Sequence, residues 1–288
     1  NISRQIVWGI RIPVWFKGNS EELVVSKTSP GPGYNQDTDT FDTWFSSGQW
    51  PVVTLKTTRP GDFGYFYPTS VMETGYDILP IWVMRMLLLG LYLTNKSPFQ
   101  KVYLHGLIRD EKGTKMSKSK GNVINPLDMV EKYGSDALRM ALVMSSVPGQ
   151  DKAVGENAIR AMRNFSNKIW NASRYVFAMN APQKGERDGE LSDKLKECVD
   201  TLTKRLDQMK IGQAAEYIYA WFWHIFCDNY IELSKKGLIG KKTMFSVLET
   251  NLKLLHPFMP FVTEAIWQEL SRSREKKGLL INAPWPKV

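Results

Sequence analysis

The sequence predicts an α/β region followed by an all-α helical bundle. Three observations support this: the chain has 288 residues, about twice the length of an ordinary domain; short β-branched and aromatic runs alternate with helical segments up to residue 147; and apolar residues follow helical spacing after it. Hydrophobic residues make up 43% and charged residues 23%, which is typical of a globular protein and excludes a disordered chain. We therefore predict two domains, 1–147 and 148–288.

The first region contains strand-like runs separated by turns. Residues 5–16 begin as an apolar run of strand type, while Ser70 to Glu73 and 101–106 predict two more strands. Residues 29–51 are dense in Gly, Pro, Asp and Ser, which predicts a long ordered loop around a short helix. Because strands alternate with helices here, we expect a parallel sheet.

Residues 78–93 form the most apolar stretch of the chain. The stretch is about one residue short of the minimum length of a membrane-spanning helix, and Arg85 lies at its middle. A buried helix of a soluble α/β protein explains this pattern better than a membrane span does. We therefore expect no membrane association.

Charge and cysteine content restrict the class of partner and site. The net charge is +9, which favours a polyanion such as nucleic acid or a phosphate, although a solvated basic surface explains the charge equally well. The two cysteines, Cys198 and Cys227, lack metal-ligand spacing, so no zinc site is expected. Their small number suits a reducing, cytoplasmic location. For the oligomeric state a monomer is the default expectation.

The second region predicts five amphipathic helices with short connections, which is the pattern of a helical bundle. Ahead of it, Asn125 is followed by Pro126, a good signal for a helix start. The apolar stripes of the five predicted helices lie at 159–176, 191–209, 217–226, 248–255 and 263–270.

The string Lys-Met-Ser-Lys-Ser at 115–119 is the strongest signal of chemistry in the chain. Lys120 and Gly121 follow it, so three lysines lie within six residues beside small hydroxyl residues and a glycine. Such a loop is suited to closing over a nucleotide and bringing ammonium groups to its phosphates. By composition alone, a solvated lysine-rich loop is an equally good interpretation.

With its surroundings, this string resembles the nucleotide-binding signature loop of the class I aminoacyl-tRNA synthetases. Four strings narrow the resemblance to their valine-specific family: ISRQIVWGIRIPVW (2–15), DTFDTWFSSGQWP (39–51), TGYDILPIWVMRM (74–86) and YLHGLIRDEKGTKMSKSKGNVINPLDMVEKYGSDALR (103–139). Three later strings resemble that family's anticodon-binding helical domain: RNFSNKIWNASRYV (163–176), FCDNYIELSK (226–235) and LLHPFMPFVTEAIWQEL (254–270).

The resemblance implies a fold and an activity. The fold is the second half of a Rossmann-like nucleotide-binding domain followed by the anticodon-binding bundle. The activity is the joining of valine to ATP as an adenylate and transfer of the valyl group to the 3′ end of the tRNA for valine. Partners would be valine, ATP and that tRNA, with Mg²⁺ accompanying ATP and no bound prosthetic group.

The resemblance also implies site residues. Lys115 and Lys118 would be catalytic, because they would neutralise charge that grows on the phosphates. The ATP- and adenylate-binding group would comprise Thr74, Gly75, His105, Gly106, Met116 and Lys118. The valine-binding group would comprise Trp44, Asp77, Ile78 and Trp82. Asp77 would bind the substrate ammonium, and helix capping is its alternative role.

The family's other signature, His-Ile-Gly-His, does not occur in the sequence, and the family's large editing insertion has no counterpart either. The chain therefore looks like the C-terminal part of a synthetase, and we expect it to be inactive alone. Two alternatives stay open. One is a non-catalytic tRNA-binding module. The other is isoleucine specificity, which the Thr-Trp-Phe-Ser-Ser and Thr-Gly-Tyr-Asp strings disfavour.

Overall fold

The computed structural model describes residues 1–18, 21–272 and 278–287, and the chain divides into two compact units. The first unit is Asn1–Leu104 and the second is His105–Val288. The division lies well before the change of sequence pattern at 147/148, because the segment with the signature loop packs with the helices that follow it.

The first unit combines short strands with short helices. Its strands are β1 (Ser3–Arg4), β2 (Val14–Lys17), β3 (Leu23–Val25), β4 (Tyr34–Gln36), β5 (Thr40–Phe41), β6 (Thr69–Gly75) and β7 (Phe99–His105), of which β7 ends at the first residue of the second unit. Its helices are α1 (Thr43–Ser47), α2 (Trp50–Thr57), α3 (Asp62–Phe66) and α4 (Met84–Thr94).

The strands of the first unit form three small sheets. Strand β2 pairs antiparallel with β3 and β4, β1 pairs antiparallel with β5, and β6 pairs with β7 after the intervening α4. The β6–α4–β7 unit agrees with the predicted alternation of strand and helix, whereas the first two sheets are antiparallel and depart from the expected parallel arrangement. The expected strand in 5–16 is interrupted, because Gly9 has φ +142° and Pro13 has no backbone N–H to donate.

The apolar stretch 78–93 forms a helix, as predicted, with a 3-10 turn at Tyr76–Ile78 and a π-helical turn at Leu79–Val83 before α4. The prediction that it is buried is correct for one face only, since Met86 is fully buried while Tyr92 is 83% exposed. Within the described residues, Tyr76–Thr94 is the one helix long and apolar enough to cross a membrane, which is weak evidence by itself.

The second unit begins with the signature-loop segment and continues into the bundle. Its two strands are β8 (Ile108–Arg109) and β9 (Lys152–Ala153), which pair in parallel. Its helices are α5 (Pro126–Tyr133), α6 (Ser135–Val143), α7 (Glu156–Ala178), α8 (Asp188–Asp207), α9 (Ile211–Ala220), α10 (Glu232–Lys235), α11 (Lys241–Leu255) and α12 (Pro260–Arg272). A π-helix, Trp221–Ile231, joins α9 to α10.

Local signals and apolar spacing explain these helices. Asn125 caps α5 by accepting from the amide of Leu127 at 3.1 Å, and Pro126 occupies the first helical position, as predicted. The predicted stripes meet in one core, in which α6 and α11 both pack on α7. Fully buried members of this core include Phe165, Ile169, Leu202, Phe222 and Phe226.

Candidate functional site

Helix α1 carries Trp44, the first predicted valine-binding residue, and a buried carboxylate holds the start of this helix. Asp42 accepts hydrogen bonds from the amides of Trp44 at 3.0 Å and Phe45 at 3.3 Å. Arg4 donates to the same carboxylate at 2.5 Å, and Arg85 approaches it at 3.5 Å. The hydrogen bond from Arg4 holds the pKa of Asp42 below its usual range. The half-buried indole of Trp44 therefore extends from a helix whose start is held by these hydrogen bonds.

Thr74 and Gly75, two predicted adenylate-binding residues, end β6 and are both buried. Asp77 follows in the 3-10 turn and is exposed. The structure does not support the alternative capping role of Asp77, because Gly75 caps the 3-10 turn, Ile78 caps the π-helical turn, and neither uses a side-chain hydrogen bond. The Asp77 carboxylate is therefore available to a ligand ammonium.

Ile78 and Trp82, the other predicted valine-binding residues, are half-buried. Trp82 packs against a small core that includes Met86 and lies 6.3 Å from the ring of Trp50. Within the described residues, its buried indole Nε1 has no hydrogen-bond partner. Helix α1 packs against the turn that carries Trp82, so the first unit brings the segments of Trp44, Ile78 and Trp82 together.

The second unit begins at His105 and Gly106, which were predicted to face the nucleotide. His105 ends β7 and is exposed. Gly106 does permit a close approach, but the group that approaches is the chain itself: a Cβ at this position would lie 1.7 Å from the carbonyl oxygen of Gln150. Packing alone therefore requires glycine here, and contact with a nucleotide stays a prediction.

The signature loop lies between two polar side chains that the sequence analysis did not single out, Asp110 and Asn122. Asp110 accepts hydrogen bonds from the amides of Lys112 at 3.0 Å and Thr114 at 2.7 Å through one carboxylate oxygen. Its other oxygen accepts from Nδ2 of Asn122 at 2.8 Å. The hydrogen bond from Asn122 is the main reason that the pKa of Asp110 lies below its usual range.

Asn122 in turn contacts both sides of Met116. Its Oδ1 accepts from the amide of Ser117 at 2.9 Å, and its Nδ2 approaches the carbonyl oxygen of Lys115 at 3.3 Å. A signal in the sequence could have identified Asn122, since asparagine beside a glycine is typical of turns that bind their own backbone.

The loop residues themselves lie in different settings. Lys115 is exposed, Met116 is half-buried, and Lys118 begins a 3-10 turn that ends at Lys120. The side chain of Lys118 lies outside the described part of the structure, so its catalytic role stays a prediction.

The predicted site residues divide between the two compact units. The first unit holds Trp44, Thr74, Gly75, Asp77, Ile78 and Trp82, and the second holds His105, Gly106, Lys115, Met116 and Lys118. Among residues 1–18, 21–272 and 278–287, no three His, Cys, Asp or Glu side chains are placed to hold a metal ion together.

The bundle presents basic side chains, some of which have local partners. Lys168 pairs with Asp228 at 2.9 Å and lies over the ring of Trp223, while Arg205 lies over Tyr217. These contacts hold the two cations at the surface, where both remain half-exposed. Among the tryptophans of the bundle, Trp221 is buried in the core, whereas Trp170 is 41% exposed.

Comparison with known proteins gives two family matches. Residues 28–154 match the family described as tRNA synthetases class I (I, L, M and V), and residues 188–288 match the anticodon-binding domain of tRNA ligase. The valine--tRNA ligase of Solibacter usitatus is 42% identical over 99% of this chain, and that of Bacillus subtilis is 42% identical over the whole chain. The chain spans about 35% of the length of each of these relatives.

Solved structures agree on the fold. A ternary complex of a leucyl-tRNA synthetase from Agrobacterium radiobacter with tRNA and LeuAMS aligns with 99% of this chain and 41% of its own chain, at a TM-score of 0.81 and 21% identity. A methionyl-tRNA synthetase of Mycobacterium tuberculosis in complex with methionyl-adenylate aligns with 92% of this chain and 53% of its own, at a TM-score of 0.68 and 18% identity. The predicted fold class, a partial Rossmann-like domain followed by a helical bundle, is therefore confirmed.

Proposed function

We propose that this chain, which belongs to the class I aminoacyl-tRNA synthetases, is part of an enzyme that joins valine to ATP and transfers the valyl group to the 3′ end of its tRNA. The observation that carries the proposal is the 42% identity with valine--tRNA ligases across 99% of the chain, which includes the signature loop. The exposed lysine of that loop and the half-buried indoles of the first unit support it chemically.

In the proposed reaction, a carboxylate oxygen of valine attacks the α-phosphorus of ATP. The bond from that phosphorus to the bridging oxygen of the β-phosphate breaks, and pyrophosphate leaves with the electron pair. Negative charge shifts onto the phosphate oxygens as this happens, so a positioned ammonium stabilises the transition state more than the bound substrates. Lys115 and Lys118 would supply that charge, and Mg²⁺ enters only as the ion that accompanies ATP.

Recognition of valine would use the residues of the first unit. Trp44, Ile78 and Trp82 offer apolar surface for a small branched side chain, and the exposed Asp77 offers a carboxylate for the ammonium group. A hydrophobic pocket of this kind separates side chains that differ by one methylene by about 1–3 kcal/mol.

The tRNA would bind through the helices of the second unit. The match of 188–288 to an anticodon-binding domain and the net charge of +9 support this part of the proposal. Contacts from lysine and arginine to phosphates release counterions, so we expect binding to weaken steeply as salt increases. The cysteines Cys198 and Cys227 are buried and unpaired, in keeping with the proposed cytoplasmic location.

Exchange of labelled pyrophosphate into ATP tests the proposal. The complete gene product that carries this chain should catalyse the exchange with valine, and isoleucine should support it far less well. The 288-residue chain alone should show no exchange, because it contains no His-Ile-Gly-His string. Isoleucine outperforming valine would overturn the specificity, and no exchange with any amino acid would overturn the activity.

A second candidate is a tRNA-binding module without catalysis, which the match of 188–288 to an anticodon-binding domain supports. Filter binding of tRNA by the chain alone, at several salt concentrations, examines the property that both candidates share. Binding by a complete gene product that fails to exchange pyrophosphate would favour the module. Affinity that does not change with salt would count against both candidates.

A further inference from the structure

The signature loop is fastened by side chains as well as by its own backbone. Asp110 precedes the loop, Asn122 follows it, and the hydrogen bond between the two side chains closes a ring around 110–122. Both side chains are half-buried. We call this pair the Asp110–Asn122 clasp.

The chemistry of the clasp permits one orientation of the Asn122 amide. A carboxylate without a proton can only accept hydrogen bonds, so Asp110 must face the NH₂ group of Asn122. The amide oxygen of Asn122 then faces the loop, where the amide N–H of Ser117 needs an acceptor. If the amide were turned over, oxygen would meet oxygen on one side, and two donors would meet on the other.

The oriented amide holds the backbone on both sides of Met116. It accepts from Ser117 and, at 3.3 Å, reaches the carbonyl oxygen of Lys115, so the loop is held between its two lysines. The amides of Lys112 and Thr114 fix the carboxylate in turn. The chain of contacts therefore runs from a rigid turn, through Asp110 and Asn122, to the backbone from which the loop lysines extend.

We propose that Asn122, oriented by Asp110, is a positioning residue that holds the signature loop in the conformation required for adenylate formation. The inference rests on the proposed function for its kinetic consequence, whereas the shape of the loop does not depend on that function. Neither residue needs to touch the nucleotide. Their effect is exerted through the loop backbone, and a small displacement of a catalytic group is enough to slow a reaction by about a hundredfold.

A reciprocal exchange of the two side chains tests the clasp without changing its size. In Asp110→Asn, one oxygen can still accept from the backbone amides, but the new NH₂ group faces the NH₂ group of Asn122. In Asn122→Asp, two carboxylates face each other. In the double variant, the NH₂ group of residue 110 donates to the carboxylate at 122, whose other oxygen accepts from Ser117. Only the double variant restores the hydrogen bond between residues 110 and 122 while keeping the acceptor for Ser117, and it also preserves the net charge. It loses the 3.3 Å contact with the carbonyl oxygen of Lys115, because a carboxylate has no proton to donate.

The nearby pair Asn125 and Asp128 is a matched control. It is joined by the same kind of bond, Nδ2 of Asn125 to Oδ1 of Asp128 at 2.7 Å, but it lies at the start of α5 and makes no contact with the loop in the described structure. Asn125→Asp and Asp128→Asn change the same atoms and the same charges. A general electrostatic effect would appear in both pairs, whereas an effect of positioning should appear only in the clasp.

The first measurement is cleavage by trypsin after Lys115, Lys118 and Lys120 in the folded protein, followed by mass spectrometry. Cleavage reports the population of opened loop when opening is fast. We expect each single clasp variant to be cut about tenfold faster, as loss of a charge-assisted hydrogen bond implies. The controls should stay within about twofold of the parent, and the double variant should be cut more slowly than either single clasp variant.

The second measurement is valine-dependent pyrophosphate exchange by the complete gene product. Each single clasp variant should lower kcat by about tenfold to a hundredfold and leave the KM for valine within about twofold. The double variant should recover most of the loss. Unchanged cleavage and kcat in the single variants, or a double variant as impaired as the two losses multiplied, would overturn the proposal. If the parent does not exchange at all but cleavage follows the predicted pattern, the proposed function fails and the clasp stands.

Discussion

The two compact units differ in how they hold their share of the candidate site. The second unit rests on a large continuous apolar core, in which Phe165 and Phe222 are fully buried. The first unit has a small core around Met86 and leaves large apolar side chains exposed, among them Trp8 at 90%. Burial of apolar surface is the main stabilising contribution to folding, so the second unit has much the larger share of it.

Polar anchors therefore matter in different ways in the two units. In the first unit, the buried Asp42 accepts hydrogen bonds from Arg4 and two amides and fixes the short helix that carries Trp44. In the second unit, the helices are held mainly by packing. The buried Asp136 adds a polar anchor by accepting from the amides of Phe261 and Val262 at the start of α12, and the Asp110–Asn122 clasp fastens the signature loop. The comparison indicates that a buried carboxylate can fix a helix start in either unit, whereas the large apolar core that supports the surrounding helices belongs to the second unit.

The largest expected effect is the loss of stability when a side chain is removed from the core of the second unit. Phe222→Ala should lower the free energy of unfolding of the chain by about 3–5 kcal/mol, because it leaves a cavity among fully buried side chains. Trp8→Ala removes an even larger aromatic side chain from the first unit but should change stability by no more than about 0.5 kcal/mol. Urea unfolding followed by circular dichroism measures both. Similar losses in the two variants would refute the comparison.

The next effect concerns the signature loop. In the complete gene product, Lys118→Ala should slow adenylate formation by about a hundredfold to a thousandfold, or roughly 3–4 kcal/mol, with little change in valine affinity. The charge acts mainly in the transition state. Stopped-flow measurement separates the rate from the affinity, and Lys242→Ala, an exposed lysine of the bundle, is the control. A raised valine dissociation constant with an intact forward rate would show that the role assigned to Lys118 is wrong.

A smaller effect is expected in the first unit, where a substitution should change the affinity for valine rather than the rate of adenylate formation. Trp82→Ala enlarges the proposed pocket, so it should weaken valine binding by about 1–3 kcal/mol and reduce the rejection of isoleucine. The forward rate with saturating valine should change less than the affinity does. Trp170→Ala in the second unit is the matched control, since Trp170 is 41% exposed there. An effect of Trp82→Ala on the rate alone would place Trp82 outside the pocket.

The smallest effect is a dependence on pH that only the second unit can show through histidine, because the first unit contains none. Burial lowers the pKa of His256 below its usual 6.5, against the attraction of Glu264 and Asp136. A lowered pKa means that the unfolded chain binds the proton first. The stability contribution is therefore present above pH 6.5 and is lost as the pH falls through the lower pKa of the folded state.

Urea midpoints at several pH values from 7.5 to 5 measure this effect. The parent should lose stability between those limits, and His256→Gln should lose less, since glutamine keeps a polar group near Thr263 without the titration. Identical pH profiles for the two proteins would mean that His256 does not contribute.

Much of the helical architecture could be predicted from spacing and capping. The stripe that begins at Ile159 became α7, the Asn125–Pro126 signal started α5, and the run from Ser70 became β6, because each of these signals acts within a few residues. The π-helical form of Trp221–Ile231 was not predictable. It depends on which carbonyl each amide reaches, and the same apolar side chains can be buried by more than one helix type.

The residues of the candidate site also fall into two groups, those that could be predicted from the sequence and those that could not. The lysines of the loop and the aromatic residues of the proposed pocket could be named from the sequence. A lysine supplies positive charge and an indole supplies apolar surface, and the strings that contain them resemble those of the family. The hydrogen-bond partners of Asp110, Asn122 and Asp42 could not be predicted, even where a turn signal marks Asn122. Their partners lie up to 43 residues away, as in the Arg85–Asp42 pair, and only folding brings those atoms within hydrogen-bond distance.

The sequence by itself determined the alternation of strand and helix, the faces that the bundle helices bury, and the positions of the catalytic candidates. The tertiary structure decided where the compact units divide, that Gln150 rather than a ligand approaches Gly106, and that two polar side chains fasten the signature loop. The physical reason is the sequence distance over which each interaction acts. Backbone propensity and apolar periodicity act between near neighbours, whereas close approaches and hydrogen-bond partners depend on which distant segments the folded core brings into contact.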